Sequence, residues 1–540
     1  MTRAEAGRLA LALTAAVAFV LPVATVRYIP TPFADVQLYA SIARARQLYG
    51  VGVPTITWNS PAAVDHIPFY GPVFYDFVAA SVEIFGFSLV SFRLVSLFGT
   101  ALFVLGTVMI AREFSGARNG PLLAAVLLLL SPEVNTAAAT GAMHMLAIGF
   151  EVMAMAVFAA KFDRRRNGAW RGVLAGLFMG LAGLTTPRSY QFIFAFFCAG
   201  LIPALFASAT KAVRYRLTAA FVTLAVIFLV WTTYSHGSPI AWTRYMAYIF
   251  SHEDTDVALL PTAVRNYSFH WSGLVTLAAV LIGSFVTARS VSAPGSGREE
   301  GARGALVFLL ACTWIQLVTT MVTLNYTFAN SEYILLPAFA VLVSWPRVRI
   351  AVPRRIVVAA VTLLLAVDAG ILARRYAFAV VTWESLDPQY LDAFVKQHVP
   401  PGSTVVGPEA PFFFPVEMAG SRYRTLEPRS WADWARWVPE VEPEALRVVA
   451  RFPVEPTGAR FLMWIDGAPL PEGYECADGH ATARYEAPLV VPDAPRWMQR
   501  AQELTPGYQT STLYRLPDGC PVGYDPTRPP PSRLAFKPKS

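Results

Sequence analysis

The chain is short of charge, cysteine and histidine. Only 15% of its 540 residues are charged, while 55% are hydrophobic and the mean hydropathy is +0.45. A soluble globular protein carries about a quarter charged residues, so this composition excludes an ordinary soluble enzyme and a disordered tail. Four cysteines without a Cys-x-x-Cys pair, and seven scattered histidines, give no zinc or iron–sulfur framework. The net charge of +8 in so apolar a chain reads as basic loops set against an anionic membrane surface, not as a nucleic-acid footprint.

What the chain does have is apolar blocks of bilayer-spanning length. They lie near 8–26, 94–111, 120–138, 144–161, 171–186, 190–208, 217–235, 271–288, 305–324, 332–345 and 355–373. The expected architecture is therefore an all-α polytopic membrane protein of about eleven spans. After Arg375 charges, prolines and aromatics mix. The domain expectation is a membrane domain over 1–375 and a soluble α/β or α+β domain over 376–540. In that second domain Ser403–Val406, Phe461–Ile465 and Ser511–Tyr514 have strand character, and Tyr390–Val399 reads as a helix with Leu391, Phe394 and Val395 on one face. The stretch Ser290–Gly304 reads as a flexible linker, and the proline-bearing tail from Pro521 as extended.

Lys and Arg set the orientation. With the N-terminus in the cytoplasm, Arg112, Arg118, Lys161, Arg164, Arg165, Arg166, Lys211, Arg214, Arg216 and most later basic residues fall inside. The outer side keeps Arg27, Arg44, Arg46, Arg93, Arg188, Arg244 and Arg265. This predicts a multi-pass protein of the cell (inner) membrane whose 27–93 loop and C-terminal domain are extracytoplasmic. The N-terminus also has the form of a signal peptide, but cleavage would strip the first span. Cys198 and Cys312 fall inside spans, whereas Cys476 and Cys520 fall in the outer domain, where a disulfide between them is expected.

The 27–93 segment is too polar to span and too patterned to be a loop. Over 34–49, Leu38, Ile42, Ala45 and Tyr49 share one helical face, which predicts a helix lying on the outer surface with Asp35 at its start. A second surface helix is expected from Pro72 to Phe85, with Phe74, Phe77, Val78, Ser81 and Phe85 on one side, Asp76 and Glu83 on the other, and Gly86 as its stop. Between them Asp65, His66, Phe69 and Tyr70 put an acid, an imidazole and two aromatics at the water–lipid boundary. Within the spans, His144 and Glu151 stand seven residues apart on one face, and Glu332 precedes Tyr333 near an outer end. Ionisable groups in a membrane are costly and mark function by default.

The ordered set Pro32-Phe33-Ala34-Asp35-Val36-Gln37-Leu38-Tyr39, Asp65-His66-Ile67-Pro68-Phe69-Tyr70, Arg93-Leu94, Leu184-Thr185-Thr186-Pro187-Arg188 and Tyr333-Ile334-Leu335-Leu336-Pro337 resembles the GT-C glycosyltransferases. The branch it resembles holds the protein O-mannosyltransferases and the lipid A aminoarabinose transferases. The resemblance covers roughly residues 10–375. It implies transfer of a sugar from a polyprenyl-phosphate carrier to an acceptor outside the cytoplasm, with inversion and with Asp35 as general base. It also implies an arginine on the leaving phosphate, for which Arg188 is the first candidate and Arg93, Arg244 and Arg265 follow. Asp65, His66, Tyr70, Tyr75, His144, Glu332 and Tyr333 are the candidate substrate contacts.

Two positions depart from the family pattern. Val36 stands where many relatives have a second acid, which favours metal-independent transfer and no cofactor, with a divalent cation left open. Glu332 stands where many relatives have a basic residue. The expected partners are the lipid-linked donor, a membrane-proximal acceptor (a glycolipid such as lipid A, a cell-wall glycan or a protein) and the bilayer. The rival readings are a transporter or flippase of a lipid-linked sugar, a non-catalytic scaffold of envelope assembly, and a polymerase or ligase using diphosphate-linked oligosaccharides.

Overall fold

A computed structural model describes residues 3–26, 36, 39–44, 71–114, 119–160, 168–205, 210–243, 271–291, 297–323, 328–344, 354–381, 388–407, 412–425, 461–465, 470, 476–488 and 506–517. Its helices are α1 Arg3–Ala24, α2 Pro72–Phe85, α3 Leu89–Phe114, α4 Gly120–Leu130, α5 Pro132–Ala138, α6 His144–Ala159 and α7 Gly168–Gly183. They continue as α8 Ser189–Leu205, α9 Thr210–His236, α10 Trp271–Val291, α11 Gly297–Thr323, α12 Phe328–Ser344 and α13 Arg354–Val381. The chain ends in α14 Pro388–His398, β1 Thr404–Gly407, α15 Phe413–Met418 and strands β2 Arg422–Thr425, β3 Phe461–Ile465, β4 Asp478–Pro488 and β5 Pro506–Arg515.

Three helices among the described residues are long and apolar enough to span a membrane alone: Glu5–Ala24, Leu89–Glu113 and Val213–Ser235. Shorter apolar helices run over His144–Ala159, Ser189–Ile202, Val275–Ala288 and Gly304–Thr320. Burial separates them. The Leu89–Glu113 window is 56% buried, but Glu5–Ala24 only 11% and Val213–Ser235 17%, so α3 is central while α1 and α9 lie at the periphery. The chain is a multi-pass membrane protein.

Two expectations are corrected here. The block 120–138 is not one straight span: α4 and α5 meet at Ser131–Pro132 with a 71° bend. Pro132 supplies no backbone donor to the preceding turn and its ring clashes with a continuing helix, and it begins α5 instead. The stretch Ser290–Gly304 is not a linker throughout, because α10 runs to Val291 and α11 starts at Gly297.

Glycine lets neighbouring helices touch along their backbones. A Cβ on Gly99 of α3 would lie 2.4 Å from the Leu146 nitrogen of α6, and one on Gly149 would lie 2.4 Å from the Gly99 oxygen. Lower down, Phe158 of α6, Phe196 of α8 and Phe308 of α11 form an aromatic triangle with ring centroids 4.8–5.1 Å apart.

A second apolar core joins one end of the bundle to the C-terminal unit. It includes Val36, Phe74, Phe92, Leu146, Phe414 and Leu513. Phe87 stacks on Phe414 at 6.0 Å and meets Phe413 edge-on at 6.2 Å, while the Arg44 guanidinium lies 4.7 Å from the same Phe87 ring. The C-terminal unit is a five-stranded sheet in the order β2-β1-β3-β5-β4. β1 pairs in parallel with β2 and β3, and β5 pairs antiparallel with β3 and β4. Leu391, Val395 and Val399 are buried along one side of α14 and its end. Helix α13 continues through Arg375 to Val381.

Candidate functional site

The end of the bundle beneath the sheet collects most of the sequence candidates that the structure describes. Helix α2 starts there. Pro72 occupies its first turn and Gly86 stops it at φ 79°. A Cβ on Gly71 would sit 2.0 Å from the Leu184 carbonyl oxygen, and the Val73 amide donates to that oxygen at 3.2 Å. The turn Leu184–Arg188 is thereby seated against the surface helix. The buried face of α2 is rotated from the expected one. Val73, Phe74, Tyr75, Val78, Ser81 and Val82 are buried, whereas Phe77 and Phe85 are exposed. The helix is covered both by the bundle and by the C-terminal core. Tyr75 packs edge-on to Phe74 at 5.8 Å.

Arg188 lies half-buried between α7 and α8, at the foot of that turn. Among the described residues its guanidinium makes no hydrogen bond or ion pair, and it lies within electrostatic reach of His144, the first residue of α6. One helix over, a Cβ on Gly141 would lie 3.5 Å from both Arg93 Cγ and Val36 Cγ1. Gly141 holds φ 78°, a left-handed turn that an L side chain resists. That turn delivers α6 to the site. Val36, the residue after Asp35, is fully buried.

Arg93 is differently employed. It is fully buried, and its Nη1 donates to the Val26 carbonyl at 2.6 Å, closing the end of α1 as a C-terminal cap. Arg375 donates to Thr136 Oγ1, and the Tyr376 hydroxyl to Asn135 Oδ1. These bonds tie α13 to the short bent helix α5.

Below His144 on α6, Glu151 is buried and its Oε2 accepts a hydrogen bond from Gln316 Nε2 of α11 at 3.3 Å. Ser189, which follows Arg188, is buried, and its hydroxyl has no hydrogen-bond partner among the described residues. Thr320 Oγ1 and Gln191 Oε1 make a second α11–α8 bridge at 3.1 Å. Gln316, Gln191, Ser189 and Thr320 were not singled out in the sequence. The available signal was an amide in each of two otherwise apolar spans.

Asp35, Asp65, His66, Tyr70, Arg244, Arg265 and Cys520 lie outside the described residues. Glu332 and Tyr333 fall on α12, but their side chains are not described. Cys198 and Cys312 are free thiols and Cys476 is not among them. No group of three or more His, Cys, Asp or Glu able to hold a metal occurs among the described residues.

No family model matches the chain, and no curated protein is similar to it. Solved structures do match. ArnT from Cupriavidus metallidurans in the apo state superposes with a TM-score of 0.50 at 14% identity, over 85% of this chain and 93% of that one. The same protein bound to undecaprenyl phosphate gives 0.50 at 16%, over 84% and 92%. The arabinofuranosyltransferase AftD from Mycobacteria gives 0.50 at 16%, over 96% of this chain and 40% of that one. At such identities the likeness is one of fold, and the fold of this chain is that of the GT-C membrane glycosyltransferases.

Proposed function

We propose that the chain is a membrane glycosyltransferase that moves a sugar from a polyprenyl-phosphate donor to an acceptor on the extracytoplasmic side. The observation that carries this reading is Arg188. A half-buried guanidinium at an outer helix end, with no hydrogen-bond or ion-pair partner among the described residues, is suited to the leaving phosphate, whose oxygens match its fork. The fold shared with a protein solved with undecaprenyl phosphate bound supports it.

In this reading Asp35 removes the proton of the acceptor hydroxyl, which then attacks the anomeric carbon with inversion. The carbon–oxygen bond to phosphate breaks, and Arg188 offsets the charge left on the carrier. His144 and His66 flank the phosphate or acceptor. Asp65, Tyr70, Tyr75, Glu332 and Tyr333 are assigned to the substrate cleft, and Arg93, Arg244 and Arg265 to its outer basic rim. The structural use of Arg93 on Val26 makes it the weakest of these. Transfer is read as metal-independent because Val36 replaces the second acid of the family pattern. The acceptor is a glycolipid such as lipid A, a cell-wall glycan or a protein.

The proposed setting is the inner membrane, N-terminus in the cytoplasm. Residues 1–375 form the catalytic domain, and an extracytoplasmic domain over 376–540 carries a Cys476–Cys520 disulfide. A flippase is the second reading, favoured by the break between α4 and α5, since broken helices mark transport sites.

The test is a matched pair, wild type and Asp35→Asn, incubated with membrane lipid extract and followed by mass spectrometry. Wild type is expected to consume one polyprenyl-phosphate sugar and to add that mass to one acceptor, and Asp35→Asn to do neither while remaining folded. Equal turnover by both proteins removes Asp35 from the mechanism. Binding without turnover by either favours the flippase.

A further inference from the structure

The helix expected on the outer surface over 34–49 is enclosed where the structure describes it. Residues 36 and 39–44 are helical, and Tyr39, Ala40, Ser41, Ile42 and Ala43 are each 3% exposed or less. Five consecutive residues pass round more than a full helical turn, so no face of this helix is left open. A helix lying on a bilayer keeps its polar face in water, yet Ser41 of that face is fully buried. One apolar core takes in Val36, Tyr39, Ile42 and Ala43 together with Phe412, Phe413, Phe414 and Val416 of the C-terminal unit.

Both ends of 36–44 rest on the corner where α2 gives way to α3. At one end the Arg44 guanidinium lies 4.7 Å from the Phe87 ring. At the other, a Cβ on Gly141 would lie 3.3 Å from Phe92 Cβ and 3.5 Å from Val36 Cγ1, so a single turn touches both. That turn is pinned to α3, because Ser96 Oγ donates to the Ala142 carbonyl at 2.8 Å. Phe87 and Phe92 themselves meet edge-on at 5.8 Å. Phe414 of α15 completes the corner, stacked on Phe87 at 6.0 Å and edge-on to Phe92 at 5.3 Å. The C-terminal unit therefore sets a buried ring against both rings that carry the ends of 36–44. Its root is fixed to the same region. Helix α13, which leads into the unit, bonds through Arg375 and Tyr376 to Thr136 and Asn135 of α5, and α5 leads into the Gly141 turn.

We infer that Phe414 is a positioning residue. Through Phe87 and Phe92 it holds the 36–44 helix, and the C-terminal unit thereby braces the segment that begins one residue after Asp35. Consecutive Cα atoms stand about 3.8 Å apart, so a fixed Val36 confines the residue before it. A general base must stay within hydrogen-bond reach of its proton, and small displacements are costly in rate. The catalytic part rests on the function proposed above, but the brace does not.

The test uses the full chain in nanodiscs, as wild type, Phe414→Ala, Phe414→Leu and Val406→Ala. Val406 is buried on β1 outside the core that holds Phe414, so truncating it weakens the sheet and spares the corner. Hydrogen exchange is read at the amides of 39–44, and undecaprenyl phosphate is titrated. Sugar transfer in membrane lipid extract is followed by mass spectrometry. Phe414→Ala loses two ring contacts and is expected to speed exchange at 39–44 about tenfold. Its transfer rate per folded molecule is expected to fall about tenfold, with undecaprenyl phosphate affinity within about threefold of wild type. Phe414→Leu keeps most of the bulk, holds the fold if the alanine variant does not, and is expected to shift exchange and transfer about threefold in the same directions. Val406→Ala is expected to lower the melting temperature and to leave exchange at 39–44 and transfer within about twofold of wild type. A merely structural Phe414 would behave as Val406 does. Unchanged exchange at 39–44 in both Phe414 variants overturns the inference, and so does a Val406→Ala protein that loosens 39–44 equally. Phosphate affinity that falls as far as transfer in Phe414→Ala overturns the positioning of the base. If wild type transfers no sugar while Phe414→Ala still loosens 39–44, the transferase reading fails and the brace stands.

Discussion

At one end of the bundle Arg216 is fully buried and donates to the Phe158 and Ala160 carbonyls at 2.6 and 2.9 Å, joined by Arg171 on Ala160 at 2.7 Å. At the other end Arg93 is spent in the same way on Val26, and Arg375 on Thr136. Arg188 has no such bond among the described residues and lies within electrostatic reach of His144. All of these are arginines near the ends of apolar helices, so sequence position alone does not distinguish them. The difference lies in the acceptor. A guanidinium that closes the last carbonyls of a helix serves the fold, whereas one that closes none keeps its fork for a ligand.

The comparison breaks most severely at Arg216. Arg216→Ala leaves the Phe158 carbonyl without its donor in a dry interior, at a cost of about 2–4 kcal/mol. The melting temperature in nanodiscs should fall, while undecaprenyl phosphate affinity per folded molecule stays as in wild type. Arg188→Ala should show the converse. Stability should hold within about 0.5 kcal/mol, and phosphate affinity should drop about 10- to 100-fold. Arg188→Lys should restore part of that affinity, since a point charge cannot make the bidentate contact. If Arg188→Ala instead lowers the melting temperature as Arg216→Ala does, Arg188 belongs with the helix closures. A smaller effect links the two classes. In Gly99→Ala the new methyl meets the Leu146 backbone, and the overpacking should cost about 1–2 kcal/mol. Because α6 carries His144 and Glu151, calorimetry and phosphate titration should both respond, unlike in either arginine variant.

How far the sequence reached follows the same physics. The bounds of α2 were legible because Pro72 and Gly86 punctuate it, but its buried face was not. Amphipathic spacing assumes one apolar neighbour, and this helix is covered from two sides, which leaves Phe85 exposed and Phe77 at the edge of the contact, stacked on Phe98 at 5.5 Å. Strand β3 was legible as a short apolar run over Phe461–Ile465. Strand β4 was not, because Asp478–Pro488 is polar along an edge of the sheet. The 71° break after Leu130 was hidden by composition, since both halves are apolar enough to count toward one span. At the site, Arg188 and His144 were picked out singly and the fold brings them within electrostatic reach of each other. Gln316 was missed because a lone amide in a span carries no periodic signal.

The smallest effect is expected in the C-terminal sheet, where two imidazoles and a guanidinium lie near one another. His480 on β4 lies 5.5 Å from the His398 ring of α14 and 6.5 Å from the Phe461 ring of β3, with Arg515 of β5 nearby. Partial desolvation, then Arg515 and His398, hold its imidazole below the ordinary histidine value. The unfolded chain therefore takes up this proton at a higher pH than the folded one does. Stability from this group is complete above about pH 6.5 and is lost as the pH falls through the lowered native value. Exposure of His480 and screening by salt keep the change small. Fluorescence melting of the full chain at pH 7.5 and pH 5.0 should show a modest drop at the lower pH, and His480→Gln should flatten part of it. A His480→Gln protein with the full acid sensitivity of wild type would move the effect to other groups and leave His480 a surface residue of the sheet.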